Sequence, residues 1–163
     1  MITVYRLVKT ARAHEAFTGE GARLFGGRWN APGSRVVYTS ATRSLALLET
    51  LVHVDASLPL PSFSFLSATL APDDIETLPA DAFARRDDLA HTRALGEAWL
   101  RAARRPALAV PSVIVPQETN YLLNPTHPDF PRLARGPALA FRFDQRLVPA
   151  SATYPRVSSR RTP

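Results

Sequence analysis

The chain has no cysteine, which excludes disulfides, thiol chemistry and cysteine-built zinc sites. It also lacks any apolar run near the roughly 20 residues that a spanning helix needs. The opening MITVYRLVKTAR has no signal-peptide pattern, so a cytoplasmic location is the default expectation. Histidine is scarce: His14, His53, His91 and His127 show no ligand spacing, so packing or surface roles and no metal site are expected. Lysine is nearly missing, Lys9 being alone among 20 basic residues that outweigh 14 acidic ones to leave a net charge of +6. The basic residues are spread out, with small clusters at Arg85-Arg86, Arg104-Arg105 and Arg160-Arg161. No basic stripe with interleaved aromatics appears, so direct nucleic-acid binding is not expected. The positive balance instead favours an acidic partner or an anionic substrate. At 163 residues, without repeats or an internal linker, the chain should form one domain with a single substantial core.

Against these absences stands a concentrated stretch. Five of the seven glycines fall between Gly19 and Gly33, and Gly26-Gly27-Arg28-Trp29-Asn30 is followed by Tyr38 and Glu49. Glycine lets backbone approach a ligand closely, an arginine can hold phosphate bidentately, and an aromatic ring can stack on a base. A carboxylate can stabilise developing positive charge. Pro32-Gly33 predicts a turn into a strand over 35–39, then a helix over 41–54 with Thr39 or Ser40 as N-cap. Leu45, Leu47, Leu48, Leu51, Val52 and Val54 cover most of that helix, which predicts that it is largely buried. An ionised, unpaired Glu49 there would cost several kcal/mol. Either Arg28 or another arginine pairs with it, or it faces a cleft.

Elsewhere the pattern predicts strands at 2–8, 63–70, 107–115 and 138–143, with Phe63 and Phe65 on one face. Helices are expected over 11–17 and 89–104, the latter with Leu89, Leu95, Trp99 and Leu100 inward, and short ones at Asp73-Asp74 and 127–134. The stretch 120–125 reads as a loop. The sum is an α+β domain, a compact and partly split β core flanked by helices.

The remaining polar candidates are weighed singly. Pro111 suggests an edge strand or bulge that presents Ser112 to a cleft, for a ribose or phosphate contact or simply for backbone bonding. No Gly-x-Ser-x-Gly context surrounds Ser112, which argues against a serine-hydrolase nucleophile. Asn120 and Asn124 either order their loop or contact a nucleotide. Arg6 either pairs with a carboxylate or reaches a diphosphate, and Trp29 reads as a packing anchor.

RLFGGRWNAPGSRVVYTSATRSLALLETLVHV, Val110-Pro111-Ser112-Val113, Asn120-Tyr121-Leu122-Leu123-Asn124-Pro125 and Ala140-Phe141-Arg142-Phe143-Asp144 together resemble the RES-domain toxin family. The likeness runs over residues 1–147, leaving 148–163 as a tail whose Ser/Pro-containing composition favours disorder. It implies a fold similar to ADP-ribosyltransferase toxins and a bacterial toxin that acts on NAD as substrate, with no bound cofactor. Arg28, Tyr38, Glu49 and Ser112 stand at the family's catalytic positions. Arg6, Gly27, Arg28, Tyr38, Asn120 and Asn124 are the expected dinucleotide contacts. The implied reaction is cleavage of the nicotinamide–ribose bond by water or phosphate; the alternative is ADP-ribosyl transfer to a protein, and a non-catalytic nucleic-acid or protein-binding module comes third. The implied partner is an Xre-type helix-turn-helix antitoxin that covers the cleft in a hetero-oligomer.

Overall fold

Strand β1 (Ile2–Lys9) serves two layers because alternate residues of a strand face opposite ways. Val4, with Ile2 and Val8, enters one apolar cluster, while Leu7 and Tyr5 enter another. The computed structural model describes residues 1–54 and 61–147, so the expected tail lies outside the described residues. Around β1 are β2 (Val37–Ser40), β3 (Phe63–Leu70), β4 (Ile75–Thr77), β5 (Ala107–Pro111), β6 (Thr119–Leu123), β7 (Ala134–Arg135) and β8 (Leu139–Phe141). Their order is β4-β5-β6-β2-β1-β3-β7, with β8 also pairing β3. Among the described strands, β4 and β5 are the pair that runs parallel.

The sheet is split at its middle. β1 shares eight register pairs with β3, and β2 four with β6, yet β1 and β2 meet only at Tyr5↔Ser40. Helix α2 (Arg43–Leu51) packs over Leu7, Phe63 and Phe65 on one half. Helix α3 (Leu89–Ala102) covers the other half through Trp99, against Leu108, Val110 and Leu122. Tyr5 and Ser40 lie opposite each other, and Tyr38 is two residues from Ser40, so both helices sit on one face of the sheet. This is the partly split α+β core expected from sequence.

Several local expectations need correction. α2 is shorter than 41–54 and its N-cap is Thr42, whose Oγ1 accepts from Leu45 N–H, because Thr39 and Ser40 are spent in β2. Nor is it buried all round: Leu45 and Ala46 are buried, but Leu48 and Val52 are exposed. Asn120 to Leu123 belong to β6, since pairing on both sides outweighs the loop-like asparagines. β5 is interior only up to Ala109, the last residue that β4 pairs, and Pro111 ends it paired with β6 alone. The glycine-rich stretch contains a helix, α1 (Glu20–Phe25), ended by Gly26 at φ 69°, a left-handed conformation that suits glycine. The helices expected over 11–17 and 127–134 are 3-10 turns at Thr10–Glu15 and Phe130–Arg132.

The segment from Gly27 to Ser34 is shaped by α3 and by Tyr38. Thr92 Oγ1 donates to Arg28 O at 2.7 Å, and Glu97 accepts from Ala31 N–H and Ser34 Oγ. Gly96 lies so near the segment that a Cβ there would sit 1.7 Å from Trp29 O. A glycine inside a helix costs about 1 kcal/mol relative to alanine; close backbone approach is the compensation. From the sheet side, the Tyr38 hydroxyl accepts from Trp29 N–H at 3.1 Å and donates to Asn30 Oδ1 at 2.7 Å. Asn30, fully buried, uses Nδ2 on the carbonyls of Ala22, Ala31 and Ser34. Trp29 is the expected anchor, packed edge-on to Phe83.

Gly96→Ala should therefore cost about 3 kcal/mol or more, since backbone lies where the methyl must go; urea unfolding measures it. Tyr38→Phe should cost about 1–3 kcal/mol by leaving buried partners unsatisfied. Burial raises the Tyr38 pKa from 10.0 to about 12. The unfolded chain then loses its proton first, so this contribution is complete below pH 10 and disappears as pH climbs towards 12. Ultraviolet tyrosinate titration should show one late phenol that is missing in Tyr38→Phe.

Candidate active site

A cleft of about 750 Å³ opens where the sheet divides, lined among others by Arg6, Arg28, Tyr38, Glu49, Arg93 and Asn120. Its size falls in the range of about 300–1,000 Å³ usual for small-molecule sites.

Glu49, on α2, reaches this space carrying no ion pair with any described residue. Its Oε1 accepts from Ser112 Oγ at 2.7 Å and from Asn120 Nδ2 at 2.5 Å, which leaves Oε2 unused. The structural Arg28–Glu49 pair is thus not formed, and the cleft-facing alternative holds. Arg28 instead gives one N–H to Arg86 O at 3.1 Å while lining the cleft.

Ser112 is wholly buried and does not line the cleft, contrary to the expectation that Pro111 presents it there. Its oxygen accepts from Ile114 N–H and Val115 N–H, which occupies both lone pairs and aims its proton at Glu49. Ser112 positions the carboxylate. Asn124 likewise does not line the cleft: its Oδ1 caps Thr126 N–H and Oγ1, so it orders a turn. Asn120 does belong to the site. Register with Ser40 and Val110 fixes it beside Glu49.

Two polar atoms at the cleft are buried and unpartnered: Asn120 Oδ1, an acceptor, and Arg6 Nη1, a donor. The bond from Nδ2 to a carboxylate determines which end of the amide is the oxygen. Arg6 directly follows Tyr5, the β1 residue that pairs β2, at the point where those two strands part. As a residue it stays partly exposed, yet its guanidinium is desolvated enough to lower its pKa to about 10, still charged at neutrality. Orphaned buried groups of opposite character suit a ligand that supplies both a donor and an acceptor.

The glycine loop needs one further correction. Three of its amides are not free to cradle an anion: Gly26 N–H bonds Ala22 O, Gly27 N–H bonds Asn30 O, and Trp29 N–H bonds Tyr38. Gly27 matters through size, since a Cβ would lie 2.4 Å from the Tyr38 hydroxyl. Tyr38 keeps its ring at the cleft while its hydroxyl is engaged. Sequence reading missed Arg93, which enters the cleft from α3, and Asn30, the hub of the loop. Gly96 within an otherwise good helix was the available signal that α3 touches this backbone. Among the described residues no group of three His, Cys, Asp or Glu converges on a point, and no helix is long and apolar enough to cross a membrane. His91 and His127 bond to the carbonyls of Ala82 and Ala103, as packing histidines do.

Comparison with known proteins identifies the family. The family model described as RES domain matches residues 3–144. A protein named Toxin Res from Photorhabdus laumondii is 39% identical over 153 residues, spanning 90% of this chain and 97% of that protein. Toxin Res of Yersinia enterocolitica is 38% identical, covering 88% of this chain and 98% of its own length. A Sphingobium protein named Prs ADP-ribosylating toxin is 35% identical, with 88% and 95% covered. With the fold, the cleft and these likenesses together, the chain belongs to the RES-domain family.

Proposed function

We propose that this protein is a toxin that binds NAD in the divided sheet and breaks its nicotinamide–ribose bond. The observation that carries the reading is Glu49: a cleft-facing carboxylate held by neutral donors, with one oxygen unused. Such a group can accept from the ribose hydroxyls and stabilise the oxocarbenium-like charge that develops as the bond breaks. The bonding electrons leave with nicotinamide, which becomes neutral and needs no general acid. Arg28 holds the diphosphate, the Tyr38 ring packs on nicotinamide, and Arg6 and Asn120 offer a donor and an acceptor to the sugar end. Ser112 keeps Glu49 aimed.

Water or phosphate then captures the ribosyl carbon. The name of the Sphingobium relative favours a second reading, capture by a protein side chain. The two differ only in acceptor. For the partner, the cleft mouth carries exposed Phe25, Val52, Leu89 and Ile114, apolar area that a neutralising antitoxin of the Xre helix-turn-helix type would cover.

The test is incubation of the purified protein with NAD and identification of products by mass. Hydrolysis yields ADP-ribose, phosphorolysis yields its phosphate adduct, and transfer yields a heavier protein. Glu49→Gln, which can still accept from Ser112 and Asn120, should keep the unfolding midpoint and lose about 10²–10³-fold in kcat. Undiminished turnover in that variant would overturn the role given to Glu49.

A further inference from the structure

Among the described residues, three guanidinium groups line the cleft against one carboxylate: Arg6, Arg28 and Arg93 against Glu49. Arg93 is the unexplained member. Its Nε donates to Gly27 O at 2.9 Å, and neither terminal nitrogen makes a hydrogen bond or ion pair with a described residue. Next to it on α3, Thr92 Oγ1 grips Arg28 O, so one helical turn fixes the backbones that carry both arginines. Gly27, whose carbonyl takes the Arg93 contact, directly precedes Arg28, and a Cβ on it would run into the Tyr38 hydroxyl. Both arginines lie near enough to the Tyr38 phenol to act on it electrostatically.

Bracing the loop explains only the Nε contact. A single neutral donor would do that work, without adding a second cation to the cleft that Arg28 already lines. Like charges that share a cleft are unfavourable until an anion joins them. The arrangement, with an Nε tether orienting a free pair of terminal nitrogens, suits bidentate binding of phosphate oxygens. The Gly26, Gly27 and Trp29 amides are already engaged, which leaves more of the anion contact to side chains.

We propose that Arg93 is a second phosphate-binding residue, which clamps the substrate diphosphate together with Arg28 across Gly27. This rests on the reading of the cleft as an NAD site and adds to it a residue that α3 supplies.

Calorimetric binding of pyrophosphate, ADP-ribose and nicotinamide to the full chain tests the inference. Arg93→Gln, which retains a donor for Gly27 O, should weaken pyrophosphate and ADP-ribose by about tenfold to a hundredfold and leave nicotinamide unchanged. Arg93→Lys should recover part of the loss, because a point charge replaces a fork. A purely bracing arginine would let Arg93→Gln bind all three like the wild type, or weaken all three together; either result overturns the proposal. Absence of pyrophosphate binding to the wild type also overturns it. Pyrophosphate binding that depends on Arg93, with no ADP-ribose binding, would keep the anion site and refute the NAD reading.

Discussion

Glu49 is restrained by a hydroxyl and an amide, with no ion pair to any described residue, and the rest of the cleft is arranged around that choice. A salt bridge would have cancelled the field of the carboxylate. Neutral donors hold its position and leave its negative charge available. Hydrogen bonds to an ionised group contribute about 1.5–3 kcal/mol each, enough to fix a rotamer of a long side chain. Three elements converge to provide them. The chain turns just after β5, so that the Ile114 and Val115 amides lock Ser112 Oγ; β6 sets Asn120 by register; α2 brings the acid over both.

Positive charge is supplied from elsewhere in the fold. Arg6 stands where β1 parts from β2, while Arg28 and Arg93 flank a loop clamped between α3 and the Tyr38 hydroxyl. That loop is rigid through its own hydrogen bonds. Asn30 at its centre satisfies three carbonyls and the phenol, and Gly96 lets α3 touch the backbone directly. Preorganisation of this kind lets charged groups act without reorganising when the ligand arrives. The divided sheet supplies the opening, and the two helices on its one face supply the walls.

Much of this was legible in the chain. Glycine clustering before a strand–helix junction located the loop, and an acid in an apolar helix located Glu49. The strands with alternating or apolar runs, 2–8 and 63–70, were found almost to the residue. What failed had physical reasons. Asparagines at 120 and 124 carry the same local preference, yet cross-strand pairing put one in β6 at the site and left the other as a turn cap. A serine beside a proline looked presented to a cleft because sequence does not reveal that the chain turns there and the Ile114 and Val115 amides draw its hydroxyl inward. Arg93 is 65 residues from Arg28 in the chain, and only the α3 packing brings them to one loop. Long-range contacts of that sort leave no local pattern.

The most direct test is a crystal structure of the protein with a slowly cleaved NAD analogue. The account predicts ribose hydroxyls of the nicotinamide side within hydrogen-bond distance of Glu49 Oε2 and the diphosphate on the Arg28 guanidinium. Density outside the cleft, or a diphosphate held at the Arg6 end with Glu49 contacting no sugar, would contradict it.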